Sequence, residues 1–185
     1  MGISTCQNFL ESSKKLFYYY KSLVDRSLEQ ISEDQIHLQF DENSNNIATL
    51  VKHMAGNMLS RWTDFLTTDG EKEWRNRETE FEDTFQSKEE MLAYWEKGWK
   101  CLFDAIDPLK EGDLSKIIYI RNEGHTVLEA MNRQLAHYSY HTGQLVFIAK
   151  ALKSDSWNSL SIPKGKSEAF NKAKFEEDKK RKNFI

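Results

Sequence analysis

Only two prolines and two cysteines occur in 185 residues. The prolines lie at positions 108 and 163, so the first hundred residues contain no helix breaker of that kind. Cys6 and Cys101 are isolated and follow no pattern, which excludes a disulfide framework or a cysteine zinc site and points to a reducing cytosol. No run approaches the ~18 consecutive apolar residues of a membrane span. The start, MGISTCQNFL, lacks both a basic segment and a long apolar one, so no cleaved leader is expected. It resembles a myristoylation signal only in part, because Cys6 stands where Ser or Thr is required. Excess charge is missing too. The net charge of -3 gives no basic footprint for nucleic acid.

Several catalytic and binding motifs are absent. HExxH does not occur, because Tyr138, Ser139 and Tyr140 separate His137 from His141. The Glu-x-x-His element of di-iron bundles fails at Gln134. KGKS at 164–167 is not a phosphate-binding loop, since Leu160 occupies the place of its first glycine. CxxC, GxSxG and GxGxxG are absent, as is any internal repeat.

What is present is helical periodicity. One segment runs from about Gln7 to Ile31, through Phe9, Leu16, Phe17, Tyr20, Leu23, Val24 and Leu28. A second runs from about Asn46 to Leu66, through Ile47, Leu50, Val51, Met54, Met58, Trp62 and Phe65, with capping residues in DENSNN before it. A third begins at Ser87, where SKEE reads as a capping box with Glu90, and ends at Pro108. A fourth begins near Thr126, with a second box to Glu129, and reaches about Leu152. Gly143 inside it costs roughly 1 kcal/mol of helix propensity, which predicts a closely approaching neighbour. Residues 67–86 form a long polar crossover. LSKIIYIR at 114–121 is β-prone, and NEG at 122–124 reads as its turn. The closing KFEEDKKRKNFI predicts a short charged helix or a frayed tail, with KKRK a solvated helix end. Four long amphipathic segments and one long crossover predict an all-α four-helix bundle. Its domain spans residues 1–155, with a short extension at 156–185 packed on it or trailing from it.

The chemistry concentrates in RQLAHYSYHTGQ at 133–144. On a helix, His137 and His141 are offset by about 40° around the axis and about 6 Å along it. Both rings can therefore reach one metal ion, for which neutral imidazole is a common ligand. Two ligands rarely suffice. His53, in VKHMAGN on the second helix, is the candidate third. The competing reading is three core histidines satisfied by hydrogen bonds, although three imidazoles in one core are costly unless used. His37 and His125 lack helical support for ligation. Asn57, Gln134 and Gln144 could orient ligands or a bound water. Arg61 could hold a substrate carboxylate or be a solvated surface charge. Trp62, Trp95 and Trp99 fit core spacing, and Tyr138 and Tyr140 fit packing roles.

VKHMAGN together with LAHYSYHTGQ resembles the DinB-like (YfiT-like) metalloenzymes, over about residues 5–152. NRETEF and SLSIPKGKSEAFN are similar to a subgroup with an extended C-terminus. The resemblance implies one divalent ion, zinc or nickel, on His53, His137 and His141, with water in the open positions. Homodimers are frequent in that family, and with the 12% aromatic content a homodimer is expected. The cysteines, charge and hydropathy already given lead to the expectation of a cytoplasmic protein acting on a small-molecule substrate, without nucleic acid or membrane. Some relatives in that family are thiol-dependent transferases or isomerases that use a low-molecular-weight thiol, such as bacillithiol or mycothiol, and by that resemblance a thiol S-transferase is the expected activity. A non-catalytic metal-binding or stress-response module is the alternative.

Overall fold

The computed structural model describes residues 2–182. The chain is mostly helical. Four long helices, α1 (Thr5–Leu28), α2 (Ile47–Trp62), α3 (Lys88–Ile106) and α4 (Val127–Lys153), are joined by 3-10 turns and one hairpin, and a short helix α5 (Ser167–Phe175) follows. No helix among the described residues is long and apolar enough to cross a membrane.

Each long helix starts where a side chain can satisfy the free N–H groups of its first turn. Ser4 caps α1 and Asn46 caps α2. Thr126 and Glu129 cap α4 reciprocally: Glu129 N donates to Thr126 Oγ1 (3.1 Å) and Thr126 N to Glu129 Oε2 (2.7 Å). At α3 the expected box is shifted by one residue. Ser87 Oγ accepts from Glu90 N, but the Glu90 carboxylate takes the N–H of Gln86 instead of that of Ser87.

The apolar stripes meet in one core. Helix α1 packs on α4, α2 packs on α3, and α2 and α4 also touch. Phe17, Met54, Met58, Trp95, Trp99, Leu102 and Tyr138 are fully buried there, each such apolar side chain contributing about 1.5–3 kcal/mol. Trp95 and Trp99 meet edge to face at 5.4 Å, and Trp99 and Phe17 each meet Tyr138 at 5.9 Å. Helices α2 and α3 approach closely at Gly98. A Cβ there would lie 2.8 Å from Ala55 Cα.

That is the packing role expected of Gly143, and the structure moves it elsewhere. A Cβ on Gly143 would meet nothing within 4 Å. The helical glycines that permit close approach are Gly98 and Gly56, on α3 and α2, where periodicity alone gave no alarm.

The β-prone stretch forms a two-residue hairpin. Strand β1 (Ile117–Ile120) pairs antiparallel with β2 (Glu123–Thr126). The turn is Arg121–Asn122, both in the left-handed region (φ 55° and 61°), as a primed hairpin turn requires. Glu123 and Gly124, expected in the turn, are strand residues instead. The crossover is fastened to this turn: Asp69 Oδ1 accepts from Arg121 N, Asp69 Oδ2 accepts from Asn122 N, and Gly70 N donates to Tyr119 O, all at 2.8 Å.

Beyond α4 the chain returns over α1. Asn158 N donates to Gln30 Oε1 (2.8 Å) and Arg26 Nη1 to Leu160 O (3.0 Å). The short helix α5 begins at Ser167 and ends at Phe175, so KKRK is not helical as far as it is described. The helix forms earlier than expected, just after Pro163 and Gly165, and like the charged segment that follows it buries no residue. The last three residues of the charged tail, and Met1 of the start, lie outside the described residues.

Candidate metal centre

Helix α4 turns His137 and His141 to one side, and α2 turns His53 toward them. One ligand atom from each of the three lies within 4.8 Å of the other two, so the cluster could hold a metal ion. His137 Nε2 is 3.3 Å from His53 Nε2 and 3.1 Å from His141 Nε2.

The other ring nitrogens decide what those short separations mean. His53 Nδ1 faces Glu80 Oε2 at 3.0 Å, His137 Nδ1 faces Gln134 Oε1 at 3.3 Å, and His141 Nδ1 faces Gln144 Oε1 at 2.7 Å. A carboxylate or carboxamide oxygen only accepts, so each Nδ1 carries the proton and donates it. The three Nε2 atoms are then left as bare lone pairs aimed at one another. Lone pairs repel at such distances unless a cation or proton sits between them. Bonds of about 2.0–2.1 Å to one ion set adjacent nitrogens roughly 3.0–3.4 Å apart, which matches the two separations measured from His137 Nε2. The residues therefore fit a divalent ion.

Electrostatics points the same way. Burial first, then the neighbouring imidazoles, pull the pKa of His137 down to about 3. Burial pulls His141 down to about 4, against the hydrogen bond that its Nδ1 donates to Gln144. Both rings thus stay neutral, the form that ligates a metal.

Glu80 was not visible as a site residue in the sequence. It sits in the 3-10 turn Glu78–Phe81 of the crossover and is 5% exposed. Arg75 grips it with two parallel bonds, Nε to Oε1 (2.8 Å) and Nη2 to Oε2 (3.0 Å). Burial by itself would raise the Glu80 carboxyl; the hydrogen bonds from His53 and Arg75 outweigh it and hold it below its usual value. Phe81 stacks on His53 at 4.8 Å. Gly56 makes room for this, because a Cβ there would stand 2.6 Å from Glu80 Oε1. The only sequence signal was a glycine one turn after His53 on a core helix, with nothing to name its neighbour.

The remaining candidates separate. Gln134 and Gln144 lie against the His137 and His141 rings, as given above. Asn57 is turned to the core: its Oδ1 accepts from Tyr138 OH (3.1 Å), which itself accepts from Trp62 Nε1 (3.2 Å). Arg61 is 8% exposed, which removes the solvated-charge reading; its Nη1 donates to Gly70 O (2.5 Å) and pairs with Glu71 (3.2 Å). His37 pairs with Asp83 at 2.8 Å, and His125 lies on β2. Neither belongs to the cluster. A cavity of about 400 Å³ opens on the triad, with Asn57, Arg61 and Phe81 in its wall.

Residues 4–166 match the family described as "Protein of unknown function (DUF1572)". No curated protein and no solved structure matches the chain.

Proposed function

The chain belongs to DUF1572, a family whose description assigns no activity, and from the triad itself we propose that it is a divalent-metal-dependent enzyme. His53, His137 and His141 would hold the ion; an all-imidazole set suits zinc, nickel, copper or iron alike, and the resemblance to the DinB-like proteins favours zinc or nickel. The observation that carries this reading is the three converging Nε2 atoms, each on a ring whose Nδ1 is already engaged. When bound, such an ion acts as a Lewis acid and lowers the pKa of a water or thiol beside it. The protein's own part is orientation. Glu80, Gln134 and Gln144 fix the three rings, Phe81 shields His53, and the cavity admits a small molecule to the Nε2 face.

The reaction we assign is thiol S-transfer, with a low-molecular-weight thiol of the bacillithiol type as cosubstrate. Its support is the resemblance of VKHMAGN and LAHYSYHTGQ to the DinB-like proteins. The same resemblance supports a four-helix bundle over residues 1–155 with an extension from 156 and a homodimer, and the two isolated cysteines support a cytoplasmic location. The exposed, adjacent Phe40 and Phe147, 6.5 Å apart, suit a dimer contact. A purely structural ion would call for a closed coordination sphere, and the cavity on the triad speaks for catalysis instead. Elemental analysis of purified protein, then a thiol-transfer assay with a model electrophile, tests the assignment. One equivalent of metal and metal-dependent turnover are expected. Metal without turnover across thiols would leave the non-catalytic module as the reading.

A further inference from the structure

The wall of the triad cavity contains five arginines, Arg61, Arg75, Arg77, Arg121 and Arg133, and no carboxylate. They arrive from four separate places. Arg61 comes from α2, Arg75 and Arg77 from the crossover, Arg121 from the hairpin turn and Arg133 from α4. A whole-chain charge of -3 makes this local excess a property of the cavity.

The protein neutralises it incompletely. Glu80 is committed to Arg75 and His53. Glu71 alone is shared by Arg61 (3.2 Å), Arg121 (3.2 Å) and Arg75 (3.5 Å). Among the described residues, Arg77 has only the exposed Glu78 at 3.8 Å and the face of Phe81. Arg133 makes no ion pair and no side-chain hydrogen bond among the described residues. Arg61 is 8% exposed, and its Nε is buried without a partner. A buried guanidinium N–H left unpaired is costly, and burial already pulls Arg61 below its usual pKa against the pull of Glu71.

We infer that this cavity binds a small anionic molecule through carboxylate or phosphate groups, with Arg61 and Arg133 as anchors and Arg77 at the mouth. Guanidinium forks match both groups bidentately. The arginines hold the anionic end, and the rest of the molecule reaches the histidines. This deepens the enzyme reading by naming its substrate class, and only the placement of the reacting end rests on that reading.

The test is calorimetric titration at low salt with inorganic phosphate, succinate and neutral succinamide. Metal-stripped protein is used, so that no ion contributes to anion binding. Phosphate or succinate should bind and succinamide should not. Whichever anion binds more tightly identifies the group, and either order supports the proposal. Arg133→Gln and Arg77→Gln, both at exposed positions that folding tolerates, should each weaken anion binding about 10- to 100-fold. Both should retain wild-type metal stoichiometry after reloading. His137→Ala should lose metal yet keep anion binding within about 3-fold. No anion binding to wild type at 10 mM probe (about the weakest useful affinity), or unchanged binding in the Arg77→Gln Arg133→Gln double variant, overturns the inference. A wild type that binds anion but not metal refutes the metal reading alone.

Discussion

Replacing Glu80 by Gln removes one negative charge and keeps the side chain's length. In the wild type that charge holds His53 Nδ1 at 3.0 Å and Arg75 through two bonds, with both side chains of the ion pair almost completely buried. Two effects follow and can be separated. A histidine ligand that loses its carboxylate acceptor typically loses 10- to 100-fold in metal affinity, about 1.4–2.7 kcal/mol. Arg75 meanwhile keeps only Glu71 at 3.5 Å. Breaking a buried pair on one side costs ~3–5 kcal/mol. Gln still accepts a bond and Glu71 remains, so the stability loss should fall near or below the lower end of that range. Gly56→Ala separates the two effects. Its Cβ, 2.6 Å from Glu80 Oε1, displaces the carboxylate without deleting its charge, while the helix itself gains up to about 1 kcal/mol in propensity. Metal affinity is read by competition with a chromophoric chelator, and stability by urea unfolding of metal-free protein. Both variants should bind metal at least ~10-fold more weakly, and Gly56→Ala, which keeps the charge, should lose less stability than Glu80→Gln. Affinities within 2-fold of wild type for Glu80→Gln (a change of under about 0.5 kcal/mol) would mean that Glu80 does not orient the site.

Three further outcomes are expected. Unfolded histidines titrate near 6.5, whereas His137 and His141 in the fold titrate at about 3 and about 4. Across that window the unfolded chain binds more protons, so metal-free protein should lose stability as pH falls from about 6.5 toward 4. The His137→Gln His141→Gln variant should show a flatter dependence in the same urea series, and identical slopes would refute the titration argument. Gly98→Ala should destabilise by about 1–3 kcal/mol, the range for overpacking, because its Cβ meets the α2 backbone at Ala55; thermal unfolding at or above the wild-type temperature would contradict this. His37→Ala and His125→Ala should keep full metal stoichiometry, and loss of metal in either would enlarge the site.

The helices and the triad were legible for one physical reason. Both depend on short-range spacing, the 3.6-residue stripe and the four-residue step from His137 to His141, with caps such as Thr126–Glu129 marking the ends. His53 needed one long-range guess, that α2 faces α4. Glu80, Arg75, Arg77 and Arg121 were not legible. They stand in a crossover and a hairpin turn without period, and reach the site through tertiary contacts such as Asp69 to the Arg121–Asn122 turn. The misreading of Gly143 has the same origin. A helical glycine reports what packs against it only after the partner is known, and the partners belonged to Gly56 and Gly98.

The central claim is that His53, His137 and His141 together hold one divalent ion. Metal stoichiometry and affinity of the wild type and of His53→Ala, His137→Ala and His141→Ala, after chelation and reloading with zinc or nickel, test it most directly. The wild type should take up one equivalent. Each alanine variant should bind far more weakly, since two imidazoles hold such ions poorly. If His137→Ala and His141→Ala each still bind one equivalent with wild-type affinity, the converging Nε2 atoms are not a metal site, and the enzyme reading loses its physical support.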